Sequence, residues 1–197
     1  MLIHDSISET IKNRGIMMNV TKKLRDEHQL IIKYINLLTR YLTTISEDEQ
    51  REDLFVKLGD FVNFIKNYAD TYHHAKEENI LFKYMEEPGV LTHCNPLPVM
   101  LNDHDNGRQF VRELTVAIVN NDQVKALLSA QAWASLLTEH IYKEDNVLYV
   151  MAEEGLNDEQ KRKIEIEYSE IEKKLNGENL EKKYNMLYDL LEKAVNK

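Results

Sequence analysis

The chain has 197 residues and a net charge of −9 with acids and bases interspersed, which allows a substantial core and argues against a nucleic-acid surface or a polybasic membrane patch. Its single cysteine, Cys94, excludes an intramolecular disulfide, and no Cys-x-x-Cys pair points to a zinc finger or an iron–sulfur cluster. With 43% apolar and 30% charged residues, six Gly and three Pro, the composition reads as all-α. No apolar run approaches the ~20 residues of a membrane span, and the start lacks a basic-then-apolar leader, so the expected location is cytoplasmic.

Residues 1–19 carry Gly15 and Met17-Met18 without a sustained stripe, and read as a lead-in or short helix. A first helix is predicted over about residues 21–45, with the stripe Leu24, His28, Ile31, Ile35, Leu38, Leu42 and Ile45 and His28 inside it. The polar stretch 46–51 reads as a connection.

A second helix is predicted over about residues 53–87, stopped by Pro88-Gly89. Its stripe is Leu58, Val62, Ile65, Ala69, His73, Glu77, Ile80 and Tyr84. Stepping back from His74 by fours and threes gives Asp70, Asn67, Asn63 and Asp60, a polar face. This periodicity puts His73 and Glu77 inside, and His74 and Glu78 at the rim.

A loop over 89–95 leads to Pro96 and Pro98, acceptable at a helix start where amide donors are unpaired. The third helix carries Leu97, Leu101, His104, Gly107, Val111, Leu114 and Ile118, with Gly107 sparing bulk one turn from His104. After Asn120-Asn121-Asp122, a fourth helix carries Ala126, Ala130, Trp133, Leu137, His140, Glu144, Val147 and Met151, and Gly155 ends it. Residues 156–197 read as two more helices broken at Asn176-Gly177, with core stripes and no ligand candidates, for packing or a partner.

Two of these segments repeat. His73-His74-Ala75-Lys76-Glu77-Glu78-Asn79-Ile80-Leu81-Phe82 and His140-Ile141-Tyr142-Lys143-Glu144-Asp145-Asn146-Val147-Leu148-Tyr149 share H-x-x-K-E-[E/D]-N-[I/V]-L-[F/Y]. His and Glu four apart stack on one helix face. Each repeat follows an acid-His dipeptide, Glu27-His28 and Asp103-His104. The candidate metal ligands are therefore His28, His73, Glu77, His104, His140 and Glu144, a set that suits two metal ions in a bundle core.

One histidine on an apolar stripe is ordinarily a satisfied core residue, but here four successive stripes each carry one. Burying Glu77 and Glu144 ionised and uncompensated would cost several kcal/mol, and divalent cations supply the compensation. His4, His93 and Cys94 fall outside the pattern, the histidines as surface residues and Cys94 as a small semi-buried loop residue. The run 158–163 reads as a solvated face. Lys76 and Lys143, rotated about 100° from the inward Glu, are expected in solvent or paired at the rim. No nucleophile elbow, phosphate loop, dinucleotide fingerprint or H-E-x-x-H is present, so the chemistry belongs to the metals.

These motifs, with the stretch 95–108 that leads into the third helix, resemble the hemerythrin-like, or HHE, cation-binding domain over roughly residues 20–155. The resemblance implies an up-down four-helix bundle, to which the helices read over 156–197 are an addition. It also implies two iron ions, two histidines on each, bridged by Glu77 and Glu144 and by an oxo or hydroxo group, with a position open for a small molecule. Imidazole-rich ligation disfavours magnesium and calcium.

The pattern departs from the oxygen-carrying hemerythrins, which have a second His four residues after the third-helix ligand and an Asp five after the fourth-helix His. Arg108 stands at the first place. Asp145 stands at the second, but Glu144 repeats the position of Glu77. A four-His, two-Glu centre looks more like the iron-cluster repair and iron-sensing members, although a cysteine-bearing N-terminal domain, usual in the repair proteins, is missing here. The expected function is a soluble protein whose centre binds or senses O2, NO, peroxide or iron availability. The alternatives are a di-iron enzyme reducing peroxide or NO or delivering iron for repair, and a zinc-filled structural bundle. Oligomeric state stays open.

Overall fold

The computed structural model describes residues 19–45 and 51–196. The expected lead-in before residue 19, His4 and the connection after residue 45 lie outside them, apart from the helical start at residue 51. Six helices account for the described residues, with no strand among them: α1 (Lys22–Thr44), α2 (residues 51–85), α3 (Leu97–Val119), α4 (residues 123–155), α5 (Asp158–Leu175) and α6 (Gly177–Val195). No helix among them is long and apolar enough to cross a membrane.

Local chemistry sets the boundaries. Pro96 and Pro98 open α3, where missing amide hydrogens cost nothing. Asp122 caps α4 by accepting from the Lys125 amide, and Asn157 opens α5 in a capping box with Gln160. Asn176 ends α5 in the left-handed region, φ 53°. At Gly155 a Cβ would collide with the Val90 carbonyl, so the end of α4 can lie on the loop after α2 only without a side chain.

Two apolar clusters fill the bundle, one built around Leu30–Tyr72 neighbours such as Tyr34, Leu58, Phe64, Leu114 and Trp133, the other around Leu24, Leu81, Met100, Leu148 and Tyr149. The second cluster gathers the beginnings of α1 and α3 with the ends of α2 and α4, so the four helices run up and down. Between the clusters lies a layer of buried His and Glu side chains.

Three helical stretches wind more loosely than an α-helix, as π-helix: Ile65–His74, Glu77–Leu81 and Glu144–Leu148. A Thr71 hydroxyl bond to the Lys66 carbonyl, five residues back, spans the first of them. Each π turn takes in an extra residue, so the positions that face inward shift.

The C-terminal helices pack on the bundle. Tyr34 donates to the Tyr184 carbonyl at 2.7 Å, and Tyr184 in turn donates to the Asn63 carbonyl at 3.2 Å. Tyr168 and Ile164 of α5 join the second apolar cluster. Gly177 lets α6 start against the Tyr72 hydroxyl, 2.6 Å from where a Cβ would sit.

Candidate metal centre

The layer between the apolar clusters is made of the repeated segments and the two acid-His dipeptides. His28, His73, Glu77, His104, His140 and Glu144 are all at most 1% exposed. His28 Nε2 lies 3.0 Å from His73 Nε2, and His104 Nε2 lies 2.9 Å from His140 Nε2. Glu77 and Glu144 sit among these nitrogens, Glu144 at 3.1 Å from His140 and 3.3 Å from His28, Glu77 at 3.5 Å from His104 and 3.6 Å from His73.

Ligating atoms within 4.8 Å of one another form two groups. One is His28, His73, Glu77 and Glu144; the other is His74, Glu77, His104 and His140. The structure thus brings together all six residues singled out from the sequence and adds His74.

His74 corrects the periodic reading. It is 7% exposed and lies flat on His104, ring centroids 3.8 Å apart. The loosely wound stretch that ends at residue 74 explains this, because an extra residue in the turn brings both His73 and His74 to the inner side. The same effect at 144–148 exposes Val147 (47%) and buries Leu148. Adjacent histidines just before an inward Glu were the available signal for a fifth imidazole.

The acidic and basic neighbours follow the repeat. Nδ1 of His73 meets Glu27 at 2.9 Å, and Nδ1 of His140 meets Asp103 at 3.4 Å. Lys76 reaches Glu27 and Lys143 reaches Asp103, each within its own half. Across the halves, Nδ1 of His28 meets Asp145 at 3.0 Å and Nδ1 of His104 meets Glu78 at 2.6 Å. Carboxylates only accept, so all four Nδ1 atoms carry a hydrogen, and Nε2 is the nitrogen that faces the centre and can meet a cation once it is free of a proton. Asp145 therefore stands behind His28, while Glu144 faces the centre.

Lys76 is a second correction. It was expected at the surface or rim, yet it is fully buried between Glu27 and the Tyr72 ring, 3.6 Å from that ring's centroid. Lys143 stays at the rim with its side chain 36% exposed. Arg108 binds Glu78 at 2.5 Å and Asp70 at 2.8 Å, so it braces the carboxylate that holds His104. Gly107 lines the cavity that reaches His74 and His104, and a Cβ there would meet Leu137 at 3.4 Å. His93 and Cys94 are exposed, the cysteine contrary to the semi-buried expectation.

Electrostatics separates the ligands. Burial pushes His28 down, but the hydrogen bond to Asp145 and the nearby Glu144 carboxylate carry it up to about 9; His140, against the same burial, is raised to about 10 by Glu144 and Asp103. Burial, then the nearby His28, holds His73 well below its ordinary value, and burial with His104 does the same to His74. Burial and the Glu144 charge push Glu77 well up. Glu144 is held well down in spite of burial, because His140, His104 and His28 face it. Burial pushes Glu27 up to about 7 against the pull of Lys76.

The residues fit a metal. Glu77 Oε2 and both oxygens of Glu144 are buried without a hydrogen-bond partner, since their contacts to the imidazoles lack hydrogen-bond geometry. Orphaned carboxylate oxygens at a meeting of inward-facing imidazole nitrogens are a cation's environment.

Residues 19–152 match the hemerythrin HHE cation-binding domain. The chain belongs to that family. Cation binding is therefore the property of this HHE domain, and its His and Glu groups are the metal-binding candidates of the fold. No curated protein and no solved structure matches the chain.

Proposed function

We propose that this HHE protein holds two iron ions and that its centre binds or senses O2, NO or peroxide, or reports iron availability. The observation that carries the reading is the pair of ligand groups sharing Glu77, with the partnerless oxygens of Glu77 and Glu144 between them. In this reading His28 and His73 hold one ion, His104 and His140 with His74 hold the other, and Glu77 and Glu144 span both. The functional unit is residues 20–155, with 156–197 as an extension packed against it. An iron pair supplies reversible electron exchange with a small ligand.

The chain's own residues orient and shield. Glu27, Asp103, Asp145 and Glu78 fix the imidazole rings, and the two apolar clusters exclude water from above and below the layer. A cavity of about 350 Å³ between α2, α3 and α4 reaches His74 and His104 along Ile65, Ala69, Val111 and Trp133. It offers a small molecule an apolar path to the layer.

The same cavity would admit the substrates of the second reading, an enzyme reducing peroxide or NO. Mixing the reduced, iron-loaded protein with O2, NO or hydrogen peroxide separates the two. Binding or sensing gives a spectral change complete at one equivalent per centre and reversed when ligand is withdrawn. Consumption of many equivalents in the presence of a reductant identifies the enzyme, and no spectral response to any of the three contradicts the enzyme and leaves, of the first reading, only iron availability as the signal.

A further inference from the structure

The two halves of the centre are related by the repeat, and the relation fails at two positions. His74 and Phe82 of α2 correspond to Ile141 and Tyr149 of α4. His74 and Phe82 both lie along His104, with ring centroids at 3.8 Å and 6.0 Å. Tyr149 lies instead along His28, its ring stacked at 5.5 Å with 13° between planes. One ion position is thus approached by three imidazoles, the other by two imidazoles and a phenol.

We propose that Tyr149 is a ligand of the ion held by His28, His73, Glu77 and Glu144, which makes the two ion positions chemically unlike. The proposal rests on the two-iron reading above. Tyr149 Oη lies 2.5 Å from Glu77 Oε1 and 3.3 Å from His28 Nε2, and the residue has no exposed surface. Nitrogen and oxygen donors about 2.0–2.2 Å from one ion and at right angles to each other are roughly 3 Å apart. Oη therefore stands near the spacing of a neighbouring ligand from His28 Nε2, and its shorter contact to Glu77 is the hydrogen bond that coordination would replace.

The donor chemistry agrees. A phenol oxygen is a hard donor that suits ferric iron, and a cation in a site inverts the preference of its neighbours for the neutral form. Coordination forms one iron–oxygen bond and breaks the Oη–H bond. The proton passes to the buffer, as protons do when metals bind ionisable ligands. The corresponding Phe82 has no such oxygen, and His74 occupies the equivalent side of the other position.

The test is the visible absorption and resonance Raman spectrum of the iron-loaded protein after oxidation in air, with iron content measured on the same samples. Wild type should hold two irons and show a phenolate-to-ferric charge-transfer band whose excitation enhances tyrosine ring modes. Tyr149→Phe should lose that band while retaining iron. Tyr168→Phe should keep it; Tyr168 also has a buried hydroxyl, and that one has no partner. Should Tyr149→Phe hold less iron, wild type and Tyr168→Phe decide, since enhanced modes in both leave position 149 as the buried phenol responsible. Two irons without enhanced tyrosine modes in wild type would overturn the proposal and leave the two-iron reading standing, with Tyr149 a hydrogen-bond donor to Glu77. A band that survives Tyr149→Phe, or disappears in Tyr168→Phe, overturns it as well. A chain that takes up no iron defeats the underlying reading first.

Discussion

The imidazole of His74 lies flat against that of His104, 3.8 Å between centroids and 16° between planes. Its neighbour His73 points to the other half of the layer, with Nε2 3.0 Å from that of His28. Two consecutive residues thus face two different ligand groups. His74→Ala should weaken the ion at His104 and His140 and spare the one at His28 and His73, while His73→Ala should do the reverse. Under limiting iron, each variant should fall from two ions per chain toward one. Full iron content with parental affinity in His74→Ala would make His74 a stacked wall and no ligand.

The sequence displayed most of this arrangement. Stripes spaced by threes and fours placed His28 and His104 correctly, because α1 and α3 are regular α-helices around those residues. Pro96, Asp122 and Asn176 marked the starts of α3 and α4 and the end of α5 by local chemistry. What stayed hidden was the looser winding of α2 and α4, since no residue type announces a π turn and a strict 3.6-residue period carries the eye past it. His74 and Val147 were misplaced for that one reason. Lys76 was hidden differently: Tyr72 lies one turn back on the same helix, but Glu27 comes from α1, and Glu172 of α5 closes over the ammonium at 3.7 Å.

Lys76 and Lys143 share a repeat position but not an environment. Lys76 is fully buried on Glu27, so Lys76→Met should leave the buried Glu27 carboxylate without its cation, held by the His73 N–H alone, and cost about 3–5 kcal/mol of stability. Lys143 is 36% exposed on its side chain, and Lys143→Met should cost only about 0–1 kcal/mol. Urea unfolding of the two variants compares them directly. Equal losses would sink the argument.

Glu78 and Asp145 hold His104 and His28 through Nδ1. Glu78→Gln and Asp145→Asn should each lower metal affinity about 10–100-fold without abolishing folding. Competition with a chelator of known strength measures this. Affinities unchanged in both variants would show that ring orientation is set by packing alone.

The acid–base state of the layer gives a signed dependence on pH. His28 at about 9 and His140 at about 10 lie above the ~6.5 of an unfolded imidazole. In the metal-free protein their contribution to stability is fully present below ~6.5 and is lost as pH rises through about 9 to 10. A cation needs the same nitrogens unprotonated, so the stabilisation it adds should grow across that range and shrink toward acid pH. Iron binding near pH 7 should release at least two protons, one each from His28 and His140. Calorimetry in buffers of different ionisation enthalpy counts them. Binding without proton release would contradict the assigned protonation.

The most direct measurement is the stoichiometry of ferrous iron bound by the metal-free protein, followed by its absorption spectrum after exposure to air. Two ligand groups sharing Glu77 predict saturation at two ions per chain and a coloured oxidised form with near-ultraviolet ligand-to-iron absorption. Saturation at one ion or fewer, or a colourless protein after oxidation, would contradict the two-iron centre.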